Sequence, residues 1–286
     1  MSIWQDIRYR FYQPQSRTIS LIYINVAVFL CGGIISLITW LFRMHWDFSV
    51  YFTLPADPGS FLFRPWSLVT YQFLHINIFH ILFNMIWLYA FGKMLEDLIG
   101  NKHVLRLYIF GGLAGGLIFM AAYNLFPIFE SVKEVAFCLG ASASVMAIMI
   151  ATAIYMPDYE IYLFGFFRIK LKWLAAIFVL IDILTMSDGN AGGHIAHLGG
   201  ALFGWLYVAT VLRGNFKWPE IKWFRSKRPV RKFKVEINKQ QKTSAQKHKN
   251  KPSQEDIDAI LDKISRSGYD RLTKEEKDTL FKASEK

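Results

Sequence analysis

The sequence has few of the residues that would indicate a disulfide-linked protein or a zinc peptidase. Its 286 residues include only two cysteines, Cys31 and Cys138, which lie in different apolar runs, so we expect neither a disulfide framework nor a redox role. It contains no His-Glu-x-x-His sequence and no internal repeats. The first 18 residues are polar and aromatic, and no cleavage pattern follows them, so we do not expect a cleavable signal peptide.

Charged residues are scarce in residues 19–213, where apolar residues form long runs. Hydrophobic residues make up 53% of the chain, too many to bury in one soluble core of this size. About 20 apolar residues cover the hydrocarbon core of a bilayer. Six runs approach this length: Ile19–Phe42, Ile76–Ala90 continuing to about Leu98, Leu105–Phe126, Phe137–Met156, Leu171–Met186 and Ile195–Leu212. The sequence therefore predicts an all-α membrane protein with a six-transmembrane-helix domain over residues 19–213.

Basic residues cluster in alternate connections, which orients the chain by the positive-inside rule. The clusters precede the first run, join the second and third runs, and precede the fifth run: Arg8, Arg10, Arg17, Lys93, Lys102, Arg106, Arg168, Lys170 and Lys172. We therefore predict that both termini are cytoplasmic and that residues 1–18 form a cytoplasmic N-terminal segment. This charge pattern, without an organelle-targeting presequence, predicts a bacterial inner-membrane location.

The C-terminal part of the chain carries most of the net charge of +11, since residues 214–286 contain 20 Lys/Arg and 11 Asp/Glu. We predict that residues 214–252 form a basic cytoplasmic linker that binds anionic lipid rather than nucleic acid. Residues 253–286 predict a two-helix cytoplasmic appendage that is too small to hold a core alone. It is expected to bind a partner that the sequence does not identify, or to pair with itself. Its markers are Ile257, Ile260, Leu261 and Ile264 on one helix face, Gly268 as a helix end, and the capping pair Thr273 and Glu276.

Polar residues of the second, fourth and sixth runs fall at the ends that are predicted to face outward. Polar side chains within a bilayer are functional candidates, because lipid offers them no hydrogen bonds. Ser142 is expected about five residues deep from the outer end of the fourth run, or about 8 Å at roughly 1.5 Å per residue. The residues concerned are His75, His80, Asn84, Ser142, His194 and His197.

Helix-face spacing predicts that Ser142 and His197 meet. His197, Gly200 and Gly204 share one face of the sixth helix, and small residues let helix backbones approach closely in lipid. Close approach of the fourth and sixth helices would bring the Ser142 hydroxyl within reach of the His197 imidazole. A serine with a histidine base is a sufficient nucleophilic pair. His194, three residues earlier, is a rival base, but the glycine spacing favours His197.

A candidate oxyanion-binding group lies on the second run. His80 and Asn84 are four residues apart and share a helix face. The backbone amide of Ser142 is predicted near a helix start, where amides lack an intrahelical acceptor. Together these three groups could hold a developing negative charge.

These motifs resemble those of the rhomboid intramembrane serine proteases, over roughly residues 17–213. The matching motifs, in chain order, are Arg64-Pro65-Trp66; His75, His80 and Asn84, followed by Gly92, Glu96 and Gly100; Gly140-Ala141-Ser142; and Ala196-His197-Leu198-Gly199-Gly200 with Gly204. The resemblance implies a six-helix core, a Ser142–His197 dyad and no metal or organic cofactor. It makes His75 and Gly140, with the two spaced glycines, structural residues near the site.

The resemblance also implies a class of substrate, and the chain departs from the family pattern at two positions. Substrates would be single-pass membrane proteins that are cut near or within the outer part of their transmembrane segment. The loop Arg43–Phe63 would lie partly in the outer leaflet. Ala143 stands where many members have glycine, which relaxes the expected packing. Met146 stands where an aromatic residue often stacks on the catalytic histidine, and a thioether holds the ring less rigidly.

Other interpretations stay open at this point. Ser142 and Ser144 could be small interface residues, and His80 and Asn84 could join helices by hydrogen bonds. Ser144 is assigned to structure, because it would point about 200° away from Ser142 on a helix. A catalytically inactive rhomboid-like protein that binds membrane clients would keep the same fold.

Two further classes of protein are disfavoured by the positions of the polar residues. A channel would need polar residues through the full membrane depth, whereas here they stop halfway. Glu96 and Asp97 are expected to be solvated or to pair with basic groups at the cytoplasmic end. We therefore expect no carboxylate near the outer histidines. A metal-dependent protein would have to use those histidines as ligands: His75, His80, His194 and His197.

Overall fold

A computed structural model of the protein describes residues 16–44, 46–163, 165–187, 189–214, 216 and 254–284. Residues 1–15 of the predicted N-terminal segment and nearly all of the predicted linker at 214–252 lie outside the described residues. The cytoplasmic location of that segment and the lipid binding of the linker therefore stay predictions.

Each of the six apolar runs contains a helix. The bounds are α1 (Arg17–Leu41), α2 (Ile78–Ile99), α3 (Asn101–Leu125), α4 (Ser142–Tyr155), α5 (Leu171–Leu184) and α6 (Ala191–Tyr207), which a π-helical turn extends over Val208–Leu212. Helices α1, α2, α3 and extended α6 are long and apolar enough to cross a membrane. Helices α4 and α5 have 14 residues each. The protein is therefore a mostly helical membrane protein with four candidate spans by length and composition.

Helix α2 begins later than its apolar run, because a polar residue caps it. The Asn77 side chain accepts a hydrogen bond from the His80 backbone N–H at 2.9 Å, so the helix begins at Ile78 rather than Ile76. The sequence predicted that His75 lies in the outer half of this helix. The structure instead places His75 before the helix begins.

Helices α3 and α6 begin earlier than their apolar runs. Gly100 has φ +95°, a conformation that glycine adopts readily, and it separates the end of α2 from the start of α3 at Asn101. Asn190 caps α6, because its side-chain oxygen accepts from the Gly193 N–H at 3.3 Å. Local capping chemistry thus moves both starts four residues toward the N-terminus.

The fourth run is helical only from Ser142 onward. Strand β2 (Phe137–Cys138) comes first and pairs antiparallel with β1 (Leu54–Pro55). Gly140 then turns the chain with φ +126°, and its N–H donates to the carbonyl of Tyr71 at 2.9 Å. Ser142 is the first helical residue, so its backbone amide lies at a helix start, as predicted. The five residues before it are not helical, so the predicted depth of about 8 Å, counted at the helical rise, does not apply.

The described chain is mostly helical, as predicted, and short strands occur in the connections. Besides the β1–β2 pair, β3 (Glu160–Leu163) and β4 (Phe167–Lys170) form an antiparallel hairpin between α4 and α5. Strand pairing gives hydrogen bonds to backbone groups where the chain is not helical. The remaining elements are short helical turns at Phe48–Tyr51, Pro58–Leu62, Ser67–Thr70, Tyr71–Phe73 and Pro127–Phe129.

The connection between α1 and α2 is tied together by side-chain hydrogen bonds to backbone carbonyls. Trp66 Nε1 donates to the carbonyl of Tyr51 at 2.8 Å, and the Arg64 guanidinium donates to that of Val50. The Arg64-Pro65-Trp66 segment therefore anchors the preceding loop.

Helices α3, α4 and α6 form the centre of the bundle and approach one another closely. A Cβ atom placed on Gly200 of α6 would lie 2.1 Å from the carbonyl oxygen of Ala143, and one on Gly204 would lie 2.4 Å from that of Ala147. No side chain fits at either position without moving a backbone. The predicted close approach of the fourth and sixth helices is confirmed.

Buried polar side chains at this centre bond to one another or to backbone. Ser144 Oγ donates to Gln72 Oε1 at 3.1 Å, and the Tyr108 hydroxyl donates to the carbonyl of Gln72 at 3.0 Å. The Tyr71 hydroxyl donates to the carbonyl of Gly112 at 2.6 Å. Ser144 therefore has the structural surroundings that were predicted for it.

The carboxylates near the end of α2 differ in their partners. Asp97 pairs with Lys93 at 2.6 Å, as predicted. Glu96 instead accepts hydrogen bonds at 2.7 Å from the hydroxyls of Ser16 and Thr18, and so holds the start of α1. The expectation that Glu96 is solvated or pairs with a basic group is wrong.

The C-terminal residues form a separate compact unit. It contains α7 (Gln254–Ser267), a helical turn at Tyr269–Arg271, and α8 (Lys274–Ser284). Gly268, with φ +81°, follows the end of α7. Thr273 N–H donates to Glu276 at 2.8 Å, and Glu276 N–H donates to the Thr273 hydroxyl at 3.3 Å. This is the predicted capping box.

One face of α7 is partly buried within this unit. Ile260 and Leu272 are buried, and Ile257 and Ile264 are half-buried. Leu261 departs from the predicted apolar face, since it is 49% exposed. The residue pattern therefore overstates the width of the buried face.

Candidate active site

A cavity of about 640 Å³ lies among α2, α4, α5 and α6. Most of the predicted site residues line it: His80, Asn84, Gly140, Ser142 and His197. Asp182 of α5, which the sequence analysis did not single out, also lines this cavity. His75 and His194 do not belong to the lining, although both touch residues that do.

Ser142 opens into the cavity from the first position of α4. Because Ser142 is the first helical residue, its backbone N–H has no acceptor within the helix. A Cβ on Gly140 would lie 2.9 Å from His80 Nε2 and 3.6 Å from Ser142 Oγ. The absence of a side chain at Gly140 therefore leaves a space that the His80 imidazole and the Ser142 hydroxyl both border.

His197 approaches this space from α6, because helices α4 and α6 pack on the same point of α3. A Cβ on Gly115 would lie 2.7 Å from the Ala143 side chain and 2.6 Å from the Ala196 carbonyl oxygen. The residue after Ser142 and the residue before His197 thus meet at Gly115. The looser packing expected from Ala143 is not found.

The two proposed reacting groups share the cavity without a direct bond. Among the described residues, no hydrogen bond joins Ser142 Oγ to His197. Both side chains line the cavity, as does Met146, which is buried one helical turn beyond Ser142. Catalytic hydrogen bonds are often long before substrate binds.

The Asp182 carboxylate contacts the imidazole rings of both His197 and His194. Asp182 Oδ1 lies 2.8 Å from Nδ1 of His197 and 2.8 Å from Nδ1 of His194. The expectation that no carboxylate lies near the outer histidines is therefore wrong. The sequence did contain a signal, since Asp182 is the only acidic residue in the run Leu171–Met186, and acidic residues are rare in membrane spans.

The two histidines differ in the surroundings of Nε2, the ring nitrogen that does not contact Asp182. Nε2 of His194 lies 3.3 Å from Thr185 Oγ1, so both of its ring nitrogens have partners. Among the described residues, no hydrogen bond occupies Nε2 of His197. The surroundings of Nε2 thus distinguish His197 from His194.

Among the described residues, the same three side chains are close enough together to hold a metal ion. The ligand atoms of Asp182, His194 and His197 all lie within 4.8 Å of one another. This cluster includes only two of the four histidines that a metal-dependent protein would have to use. His75, which precedes α2, contacts His80 instead, with ring centroids 5.0 Å apart.

His80 and Asn84 face the cavity from α2. Asn84 is buried, and its Nδ2 donates to the carbonyl of His80 at 2.9 Å. A carboxamide nitrogen carries two N–H groups, so one stays free of that bond. His80 also lies near enough to His197 to interact with it electrostatically.

His75 packs edge-on against the His80 ring. Both of its ring nitrogens are buried without a hydrogen-bond partner among the described residues. Burial lowers the pKa of His75 to about 4, so the ring is neutral at neutral pH. This contact supports the structural role that the resemblance implies for His75.

Comparison with known proteins gives two family matches. The Rhomboid domain matches residues 63–214, more than half of the chain. A family of unknown function (DUF6576) matches residues 238–286.

Individual relatives include mitochondrial and bacterial proteins. RHOMBOID-like protein 12, mitochondrial, of Arabidopsis thaliana is 32% identical over 160 residues, which cover 53% of this chain and 48% of that protein. Presenilin-associated rhomboid-like protein A, mitochondrial, of Danio rerio is 25% identical over 243 residues, or 79% and 53% of the two chains. Rhomboid protease GlpG of Haemophilus influenzae is 26% identical over 152 residues, or 52% and 72%. This chain spans about half the length of the first two relatives.

Proposed function

The chain belongs to the rhomboid family, and from that premise we propose that it is an intramembrane serine endopeptidase with Ser142 as nucleophile and His197 as general base. One observation carries the proposal. A serine at the start of a buried helix and a histidine whose Nε2 has no hydrogen-bond partner among the described residues line one cavity within an apolar bundle. Similarity to a protein named a rhomboid protease is consistent with it.

The proposed reaction is acyl transfer through a covalent intermediate. His197 Nε2 takes the hydroxyl proton while Ser142 Oγ attacks the peptide carbonyl carbon. The same proton then passes to the leaving amine as the C–N bond breaks. Water, deprotonated by His197, hydrolyses the acyl-enzyme and returns Ser142 to its starting state.

Three groups are proposed to stabilise the oxyanion: the Ser142 backbone N–H, the His80 side chain and the Asn84 side chain. Supporting this role, the amide lies at a helix start, where the helix dipole favours negative charge. Both side chains line the same cavity. Preorganised donors of this kind act strongly in a water-poor site.

The proposed substrates are transmembrane segments of single-pass proteins. A helix engages its peptide carbonyls in its own hydrogen bonds, so the segment has to unwind before Ser142 can attack it. We expect preferred substrates to carry a small residue before the cleaved bond and helix-weakening residues after it, because the latter make unwinding easier. On one side of the cavity, Trp87 of α2 meets Phe178 of α5 edge-on, with centroids 5.2 Å apart. These two aromatic side chains form the wall of the cavity between α2 and α5.

We also propose a membrane arrangement in which all six helices span the bilayer and both termini are cytoplasmic. Helices α4 and α5 extend only about 21 Å, so the bilayer would have to thin locally or their flanking residues would complete the span. The basic segment would bind anionic lipid. The bacterial inner membrane gains no support from the relatives, several of which carry mitochondrial or chloroplastic names.

The test is cleavage of a single-pass substrate in liposomes by wild type, Ser142→Ala and Ser144→Ala, each measured with and without a metal chelator. Ser142→Ala should lower cleavage by at least about 10³-fold. Ser144→Ala, which loses the bond to Gln72, should cost about 1 kcal/mol of stability but keep activity.

Each other outcome contradicts part of the proposal. Equal cleavage by wild type and Ser142→Ala would mean that another residue is the nucleophile. Loss of wild-type activity on adding chelator would indicate a metal at Asp182, His194 and His197. Binding without cleavage across a panel of transmembrane segments would favour a catalytically inactive, client-binding rhomboid.

A further inference from the structure

We propose that Asp182 is a positioning residue that fixes the tautomer of His197, so that the site works as a Ser142–His197–Asp182 relay rather than a dyad. The inference rests on the proposed function. It concerns which nitrogen of His197 carries the proton and what places it there.

Asp182 faces the interior of the bundle although its helix is mostly apolar. Its neighbours Ile181 and Ile183 are 48% and 52% exposed, whereas Asp182 itself is 5% exposed. A carboxylate at such a position is unfavourable unless it is paired. Its partners are therefore central to what it does.

The partners of Asp182 are imidazole nitrogens. An ionised carboxylate can only accept hydrogen bonds, so the 2.8 Å contact to His197 requires a proton on Nδ1. The opposite nitrogen, Nε2, then carries a lone pair. This is the tautomer that can take a proton from a serine hydroxyl, and a carboxylate on Nδ1 also stabilises the imidazolium that results.

His194 is assigned to holding Asp182. Its Nδ1 donates to the same oxygen at 2.8 Å, and an oxygen with two lone pairs can accept both bonds. Asp182 Oδ2 is buried without a partner among the described residues, so the two imidazoles supply the hydrogen bonds that this carboxylate receives there. His194 thus keeps Oδ1 in line with His197, while its other nitrogen lies near Thr185.

The arrangement predicts that a metal ion and the relay exclude each other. A metal ion held by Asp182 and the two ring nitrogens that face it would have to replace the Nδ1 protons that the relay requires. A chelator should therefore leave the wild-type rate unchanged.

The experiment compares Asp182→Asn and Asp182→Glu with Asp97→Asn, which makes the same chemical change at an exposed ion pair on α2. An asparagine can donate to Nδ1 and so favour the wrong tautomer. We expect Asp182→Asn to lower kcat by about 10²- to 10⁴-fold with little change in KM. Asp182→Glu should recover part of the rate, and Asp97→Asn should match wild type.

A second measurement detects the tautomer of His197 directly and does not depend on enzyme activity. Solid-state ¹⁵N spectra of histidine-labelled protein in liposomes resolve protonated from unprotonated ring nitrogens, and His197→Gln identifies the His197 signals among the seven histidines. Wild type should show Nδ1–H at His197, and Asp182→Asn should shift the proton to Nε2.

Two results would overturn the relay. One is an Asp182→Asn protein with wild-type kcat. The other is an unchanged His197 tautomer together with a lower melting temperature, which would leave Asp182 with a purely structural role. Failure of the proposed function is distinguishable, because it appears as unimpaired cleavage by Ser142→Ala while the ¹⁵N spectra still report on Asp182.

Discussion

Ser142 and Ser144 illustrate how a step of two residues along a helix changes what the same hydroxyl can do. Ser142 is the first residue of α4 and opens into the cavity. Ser144 is fully buried and donates to Gln72 on the segment before α2. A serine that already has a buried acceptor would lose that bond on turning toward a substrate. The proposed chemistry is therefore assigned to Ser142, which has no such partner among the described residues.

At the same scale, Asn84 is predicted to act through its N–H group rather than its shape. Asn84→Ala removes the donor and should lower kcat by roughly 10²-fold with a small change in KM. Asn84→Asp keeps the shape but replaces the donors with a negative charge, so it should be slower still. Single-turnover cleavage in liposomes measures both. An Asn84→Asp protein as active as wild type would exclude the oxyanion role.

The residues of the site were predictable to different degrees. Ser142 and His197 follow from a polar residue in an apolar run and from glycine spacing, which are local patterns. Asp182 lies 12 and 15 residues before its two histidines and on another helix. No local spacing encodes that contact. Only its isolation as a charge in an apolar run marks it.

At the scale of elements, the site depends on the distance between α4 and α6. Gly200→Ala is predicted to force these helices apart, because the new Cβ would lie 2.1 Å from the Ala143 carbonyl oxygen. We expect a loss of about 1–3 kcal/mol or more of folding stability, and a lower cleavage rate because His197 moves with its helix. Thermal unfolding in detergent and cleavage in liposomes measure the two effects.

Gly33→Ala in α1 is the matched control, since no atom lies within 4 Å of the new Cβ. Alanine favours helix over glycine by about 1 kcal/mol, so this variant should be at least as stable as wild type. A Gly200→Ala protein that behaves like Gly33→Ala would show that close packing of α4 on α6 is dispensable.

The elements were predictable from run length, and their ends were not. Apolar runs located six helices, four of which are long and apolar enough to cross a membrane. The ends depend on single polar or glycine residues, such as Asn77, Asn190 and Gly140. The β1–β2 pair joins residues more than 80 positions apart, a contact that neither strand encodes alone.

At the scale of the whole molecule, orientation decides which side of the membrane the cavity faces. Basic side chains of the β3–β4 hairpin pair with carboxylates, as in Arg168 with Glu160 at 2.9 Å. Acidic residues contribute little to the positive-inside rule, so these pairs do not weaken the prediction that the hairpin is cytoplasmic. The α3–α4 connection, which leads into Ser142, is then predicted to lie on the opposite side.

This orientation can be tested with single cysteines in a variant that lacks Cys31 and Cys138. Val135 precedes β2 and is 76% exposed, whereas Tyr162 lies in the β3–β4 hairpin and is 64% exposed. A thiol reagent that cannot cross membranes should label Val135→Cys in intact cells and Tyr162→Cys only after the membrane is opened. Both should be labelled in detergent. The reverse pattern would place the cavity toward the cytoplasm, and Ser142 could then reach only the cytoplasmic part of a transmembrane segment.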